Sequence, residues 1–212
     1  MGGDELFREY FRDALSSRTV RPSFCEGDVL GALLLLAEGP TGRYALKDFL
    51  GLGDAAARTL LRRLHRLGLV KPAGRKGHIL TERGRSIAES LKRYLAEFKE
   101  LPRSFLSIDK CDYGFRLRGL SHIISNGVKE RDLAVSSGGK GATTIIVKDG
   151  RFIVPSVMEL TGKEEDFLRR FFDPEEGDVI LIVSAKDRST ALRAGLNVVA
   201  ELIMQAEVEG IR

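Results

Sequence analysis

The stretch Gly53–Arg85, GDAAARTLLRRLHRLGLVKPAGRKGHILTERGR, decides how the rest of the chain is read. Ala57, Leu60, Leu61, Leu64 and Leu67 recur at helical spacing, so Asp54 to Leu67 is expected to be a helix with that stripe inward. Its opposite face then carries Ala55, Arg58, Thr59, Arg62, Arg63 and Arg66. Gly68 is placed to stop the helix, Leu69-Val70-Lys71 starts a strand, and His78-Ile79-Leu80 returns as its partner across a polar loop, Pro72–Gly77. From Arg58 to Arg93 there are eleven lysines and arginines against two glutamates, a net of +9 in a chain whose total is +4. Charge concentrated on a helix and a hairpin marks a face for a polyanion.

Upstream, Asp28 opens an apolar helix, Val29–Ala37, that Gly39 and Pro40 stop. Thr41 is placed to N-cap a short helix ending at Leu50, and Gly51-Leu52-Gly53 supplies the tight corner of a helix-turn-helix. Asp4–Leu15 puts Leu6, Phe7, Tyr10, Phe11 and Leu15 on one stripe, and Arg18–Glu26 connects it to the rest. Downstream, Thr81 starts a helix expected to reach Leu101, with Ile87, Leu91, Tyr94, Leu95, Phe98 and Leu101 near one seam and Pro102 closing it. That long helix and the N-terminal helix are the expected surfaces of a homodimer, the N-terminal helix packing on its own domain being the alternative.

In this geometry the outward arginines of the second helix of the pair would enter the major groove, where arginine grips the O6/N7 edge of guanine. Lys71, Arg75 and Lys76 would meet phosphates, and Thr41 and Tyr44 would position the duplex. The competing reading is a solvated arginine face. ARTLLRRLHRLGLVKP followed by HILTERGRSIAESL resembles the winged helix-turn-helix of multiple-antibiotic-resistance-type and related archaeal regulators, over roughly residues 26–101. The resemblance implies a dimer on a pseudo-palindromic site of double-stranded DNA. Residues 126–155 are similar to a domain of unknown function attached to winged helices in archaeal proteins.

The second half reads as strand (Ser104–Ile108), helix (Arg118–Val135, broken near Asn126-Gly127), hairpin, helix (Glu164–Phe172), strand (Asp178–Ser184) and closing helix (Ser189–Glu207). The hairpin, Thr143–Lys148 and Arg151–Val154, turns on Asp149-Gly150. The expected fold class is α+β: residues 1–25 a helix and connector, 26–101 a winged helix-turn-helix, 102–212 an α/β sandwich with one sheet.

Ser136–Thr144 (SSGGKGATT) is either a helix cap and connector or a site for a small anionic effector. In the second case Ser136, Ser137, Gly139, Lys140, Gly141, Thr143 and Thr144 would line it, with Arg131 and Asp132 one or two helix turns upstream. The loop lacks the helix and Ser/Thr of a nucleotide-binding P-loop. No catalytic set, cofactor motif or metal-ligand spacing is found: His65, His78 and His122 are scattered, and Cys25 and Cys111 read as buried thiols. No long apolar run or export signal is present, so a cytoplasmic, non-membrane protein is expected. The function expected is a DNA-binding transcriptional regulator with a sensing domain. The alternatives are an RNA- or ribosome-associated module, or an enzyme acting on a phosphorylated small molecule.

Overall fold

A computed structural model describes residues 6–16 and 22–210. The start of the first helix at Asp4, and Arg18–Arg21 of the connector, lie outside them. Four helices come first: α1 (Leu6–Leu15), α2 (Glu26–Ala37), α3 (Arg43–Leu50) and α4 (Asp54–Arg66). A hairpin follows, β1 (Val70–Pro72) and β2 (His78–Leu80), and then α5 (Glu82–Tyr94), capped by the Thr81 hydroxyl accepting from the Gly84 N–H at 3.1 Å. Thr41 does not cap α3, because Gly42 holds that position and the Thr41 hydroxyl donates to the Gly39 carbonyl.

The chain then enters a six-stranded antiparallel sheet built from β3 (Leu95–Leu101), β4 (Cys111–Leu117), β5 (Gly141–Lys148), β6 (Arg151–Val154), β7 (Met158–Leu160) and β8 (Val179–Ala185), in the order β3-β4-β8-β5-β6-β7. Helices α6 (Val128–Ser136), α7 (Lys163–Phe171) and α8 (Arg188–Val208) cover it. All seven residues of β8 are buried because both faces are covered. Val179, Leu181 and Val183 join the main core under α8, while Ile180 and Ile182 join a smaller core with Leu168 of α7. The fold class is α+β, as expected.

The helix expected to run from Thr81 to Leu101 ends at Tyr94. A bulge between Leu95 and Glu97 explains why the strand resembled a helix. It puts one extra residue between Leu95 and Phe98, so both face the main core at a spacing of three. Leu101, an odd number further on, turns to the opposite core. Phe98 stacks on Phe115 with ring centres 6.2 Å apart, which seals β3 to β4. Ser104–Ile108 is likewise not a strand. It is a turn tied down by the Ile108 N–H donating to Ser184 Oγ (3.1 Å) and by Ser107 bonding Asp112. The region read as one broken helix, Arg118–Val135, is a single 3₁₀ turn at Ser121–Ile123 followed by α6.

One core joins the tri-helical half to the sheet. Helices α2 and α8 cross at backbone contact: a Cβ on Gly27 would lie 2.4 Å from the Asn197 nitrogen, so only glycine fits. One residue on, the fully buried Asp28 is gripped by Arg193 of α8 through two bonds of 2.8 and 2.7 Å. The apolar stripe of α1, expected to be a subunit contact, is spent within the chain: Phe7, Tyr10, Phe11 and Ala14 are buried, and α1 packs on α2 and α4. On α5, Ile87, Ala88 and Leu91 are buried too. The apolar positions described on the two helices are thus largely taken up within the chain. Among the described residues no helix is long and apolar enough to cross a membrane.

Candidate nucleic-acid interface

The turn between α3 and α4 depends on Gly51, which adopts φ +64° and caps α3. Leu52 then plugs the corner, and α4 starts at Asp54 with Ala56, Ala57, Leu60, Leu61 and Leu64 inward. The outward face is as the spacing predicts, with one exception. Arg58, Arg62, Arg66 and Ala55 are exposed and Thr59 is half-buried.

Arg63 is the exception. Its guanidinium turns away from the exposed row, donates to the carbonyls of Ala14 and Ser16 (3.0 Å to the latter), and sits 5.5 Å above the Phe24 ring. It ties down the end of α1 and is not available to a ligand. Arg83 does the same from α5, donating to the Tyr10 hydroxyl and lying 4.9 Å over its ring.

The hairpin is pinned to the start of α3. Thr41 and His78 exchange backbone hydrogen bonds of 2.8 and 2.9 Å, adding a short third rung to the hairpin. Gly77, at φ +94°, lies so close that a Cβ there would be 2.4 Å from the Thr41 carbonyl oxygen. Thr41 is therefore buried and offers no side chain to the surface, in contrast to the sequence expectation. Lys71, Arg75 and Lys76 stand exposed on the strand and the tip. Arg62, Arg66, Lys71, Arg75 and Lys76 have no ion-pair partner among the described residues.

At the start of α4, Asp54 pairs with both Arg43 and Arg58, each at 3.0 Å. Arg43 in turn lies 4.6 Å over the ring of Tyr44 and donates to its hydroxyl at 2.8 Å. Tyr44 is 65% exposed. Between α3, α4 and the hairpin runs a groove of about 550 Å³ that Tyr44, Leu61, His65, Pro72 and His78 help to line. Burial, and then the neighbouring His65, lower the pKa of His78. Asp54, Arg43, His65 and His78 were not among the residues expected here. The i, i+4 spacing of Asp54 and Arg58 was the one signal available.

Of the two readings of the loop after α6, the helix cap and connector accounts for its backbone. The N–H groups of Ser137, Gly138 and Gly139 donate to the carbonyls of Leu133, Val135 and Ala134, closing α6, and that of Lys140 donates to the Ser184 carbonyl, opening β5. An anion cradle needs free N–H groups, and these are taken. Ser136 bonds Leu133, Ser137 accepts from Asn197, and Arg131 and Asp132 pair with each other on the surface. Gly141 is paired with Ser184 inside the sheet, Thr143 is half-buried and Thr144 is buried. Lys140 is exposed. Among the described residues no cluster of three His, Cys, Asp or Glu is arranged to hold a metal ion. Cys25 and Cys111 are half-buried free thiols, and burial pushes the Cys25 thiol up to about 11.

Residues 26–86 match a family model described as the PH0730-like N-terminal domain, and residues 108–202 match one described as a domain of unknown function, DUF4443. The solved structure of hypothetical protein PH0730 from Pyrococcus horikoshii OT3 is similar across 88% of this chain and 98% of that one, with 25% identity and a TM-score of 0.70. No curated protein matches the chain.

Proposed function

We propose that the chain is a transcriptional regulator that binds duplex DNA as a winged helix-turn-helix, with α4 in the major groove and the hairpin as the wing. The observation that carries this is the row of free cations on two adjacent elements: Arg62 and Arg66 on α4, Lys71, Arg75 and Lys76 on the hairpin. Some surface cations elsewhere are paired, as in Arg169–Glu165, Arg151–Glu159 and Lys92–Glu38, and others, such as Lys148, Lys163 and Arg170, stand free but scattered; what sets this row apart is five free cations on two adjacent elements. An uncompensated row suits phosphates, whose contacts supply most of the affinity of such modules.

Arg58 enters differently. Held by Asp54 in the first turn of α4, it is oriented before any ligand arrives, which suits a base-edge contact more than a phosphate contact. The sheet and α8 act as the platform that fixes the angle of α2 and α3, through Gly27 and the Asp28–Arg193 pair.

Fluorescence anisotropy with random duplex DNA, and in competition with duplex RNA of the same sequence, tests the reading. Duplex DNA should bind in the micromolar range at low salt, and the double charge reversal Arg62→Glu, Arg66→Glu should abolish binding with unchanged circular dichroism. RNA competing equally or better would redirect the proposal to an RNA-binding module using the same face.

A further inference from the structure

The groove between α3, α4 and the hairpin has features that phosphate binding does not use. Its floor includes Leu61, which is buried, and Pro72, both apolar. At its rim the Tyr44 ring is largely exposed, with the Arg43 guanidinium laid over it. His78 also lines it, and the buried Nδ1 of its ring has no hydrogen-bond partner. A buried polar atom left unpaired is costly, so this one calls for a partner, a water or a ligand group. The His78 backbone is fixed by its bridge to Thr41, which places the residue at the groove.

Resting on the DNA-binding reading above, we propose that this groove accepts a single unstacked nucleobase, so that DNA carrying an unpaired base is preferred over a perfectly paired duplex. Tyr44 would stack on the base, the apolar floor would cover its other surface, and the His78 ring, turning so that its buried Nδ1 reaches the groove, would bond its polar edge. The volume of about 550 Å³ is ample for one base. The charges agree: Arg62, which has no ion-pair partner among the described residues, borders the same groove and would hold a flanking phosphate of an extruded nucleotide. Aromatic stacking with a cationic border is the chemistry that retains unpaired bases, and a paired, stacked base has no face to offer it. Burial, and then His65, lower the pKa of His78 and so favour the neutral imidazole, which can either accept from or donate to the base according to its tautomer.

The test uses the full chain and two DNA duplexes of one sequence, one fully paired and one with a single bulged 2-aminopurine. The bulged duplex should bind about ten-fold more tightly, and the probe's emission should be quenched on binding. Tyr44→Ala should remove that preference by weakening the bulged ligand about ten-fold more than the paired one, while Tyr44→Phe should keep it. Tyr44 is exposed, so folding should be unaffected, as circular dichroism would verify. Equal affinity for the two duplexes, or a Tyr44→Ala effect equal on both, overturns the base site and leaves the DNA-binding reading standing. Binding to neither overturns both.

Discussion

Arg62 and Arg63 are neighbours on one helix, yet the structure gives them unrelated tasks, and replacing each with alanine should separate them. Arg63 donates to two carbonyls at the end of α1 and covers Phe24. A hydrogen bond to a charged group contributes about 1.5–3 kcal/mol, and the half-exposed position of Arg63 reduces this. A net loss of about 2 kcal/mol is expected for Arg63→Ala, which in a chain of this size lowers the melting temperature by roughly 4–8 °C. Arg62 is exposed and touches no partner, so Arg62→Ala should change stability by less than about 0.5 kcal/mol. On DNA the order reverses. Losing one phosphate contact reduces the slope of log affinity against log salt by about 0.9, and only Arg62→Ala should show it. Calorimetry and anisotropy across a salt series measure both quantities. If Arg63→Ala left the melting temperature unchanged while lowering the salt slope, the assignment of Arg63 to the anchoring of α1 would be refuted.

Arg193→Ala leaves the fully buried Asp28 carboxylate without its cation and should cost about 3–5 kcal/mol in denaturant unfolding; the double change with Asp28→Leu should recover part of this. Gly77→Ala places a Cβ against the Thr41 carbonyl at a positive φ, so it should loosen the hairpin and raise hydrogen exchange at Thr41 and His78 while leaving α8 protected. Asp187 caps α8, and the Thr190 N–H holds its carboxyl below the usual range. Its contribution is therefore full above the unfolded pKa of about 4 and lost as pH falls through the lower folded value. Asp187→Ala should cost about 1 kcal/mol at pH 7. Asp187→Asn should keep most of the cap and remove that part of the acid sensitivity.

The sequence showed some elements clearly because one local rule governed each of them. In α4 the leucine spacing settled which arginines face outward. At Asp149-Gly150 both residues adopt positive φ, 53° and 70°, as the two-residue hairpin requires. Strand β3 was hidden because its bulge gives a helical spacing. Strand β4 was hidden because Asp112 and Arg116 are buried within it, and because Gly114 lies where a Cβ would strike Phe172 and Leu101. Apart from Ser107, which bonds Asp112, those partners lie far off in sequence. The same holds at the site. Nothing around Arg63 tells that its acceptors lie 47 and 49 residues earlier, and nothing around His78 tells that its backbone closes on Thr41. The glycines after α6 were compatible with two readings, and only the destinations of their N–H groups separate a helix cap from an anion cradle.

The central claim is that the five free cations meet phosphates, and the salt dependence of duplex binding by the intact protein tests it most directly. Engagement of Arg62, Arg66, Lys71, Arg75 and Lys76 predicts a slope of log affinity against log salt of about −4.5. A slope near zero, or affinity unchanged when the hairpin and α4 cations are replaced together, would contradict it.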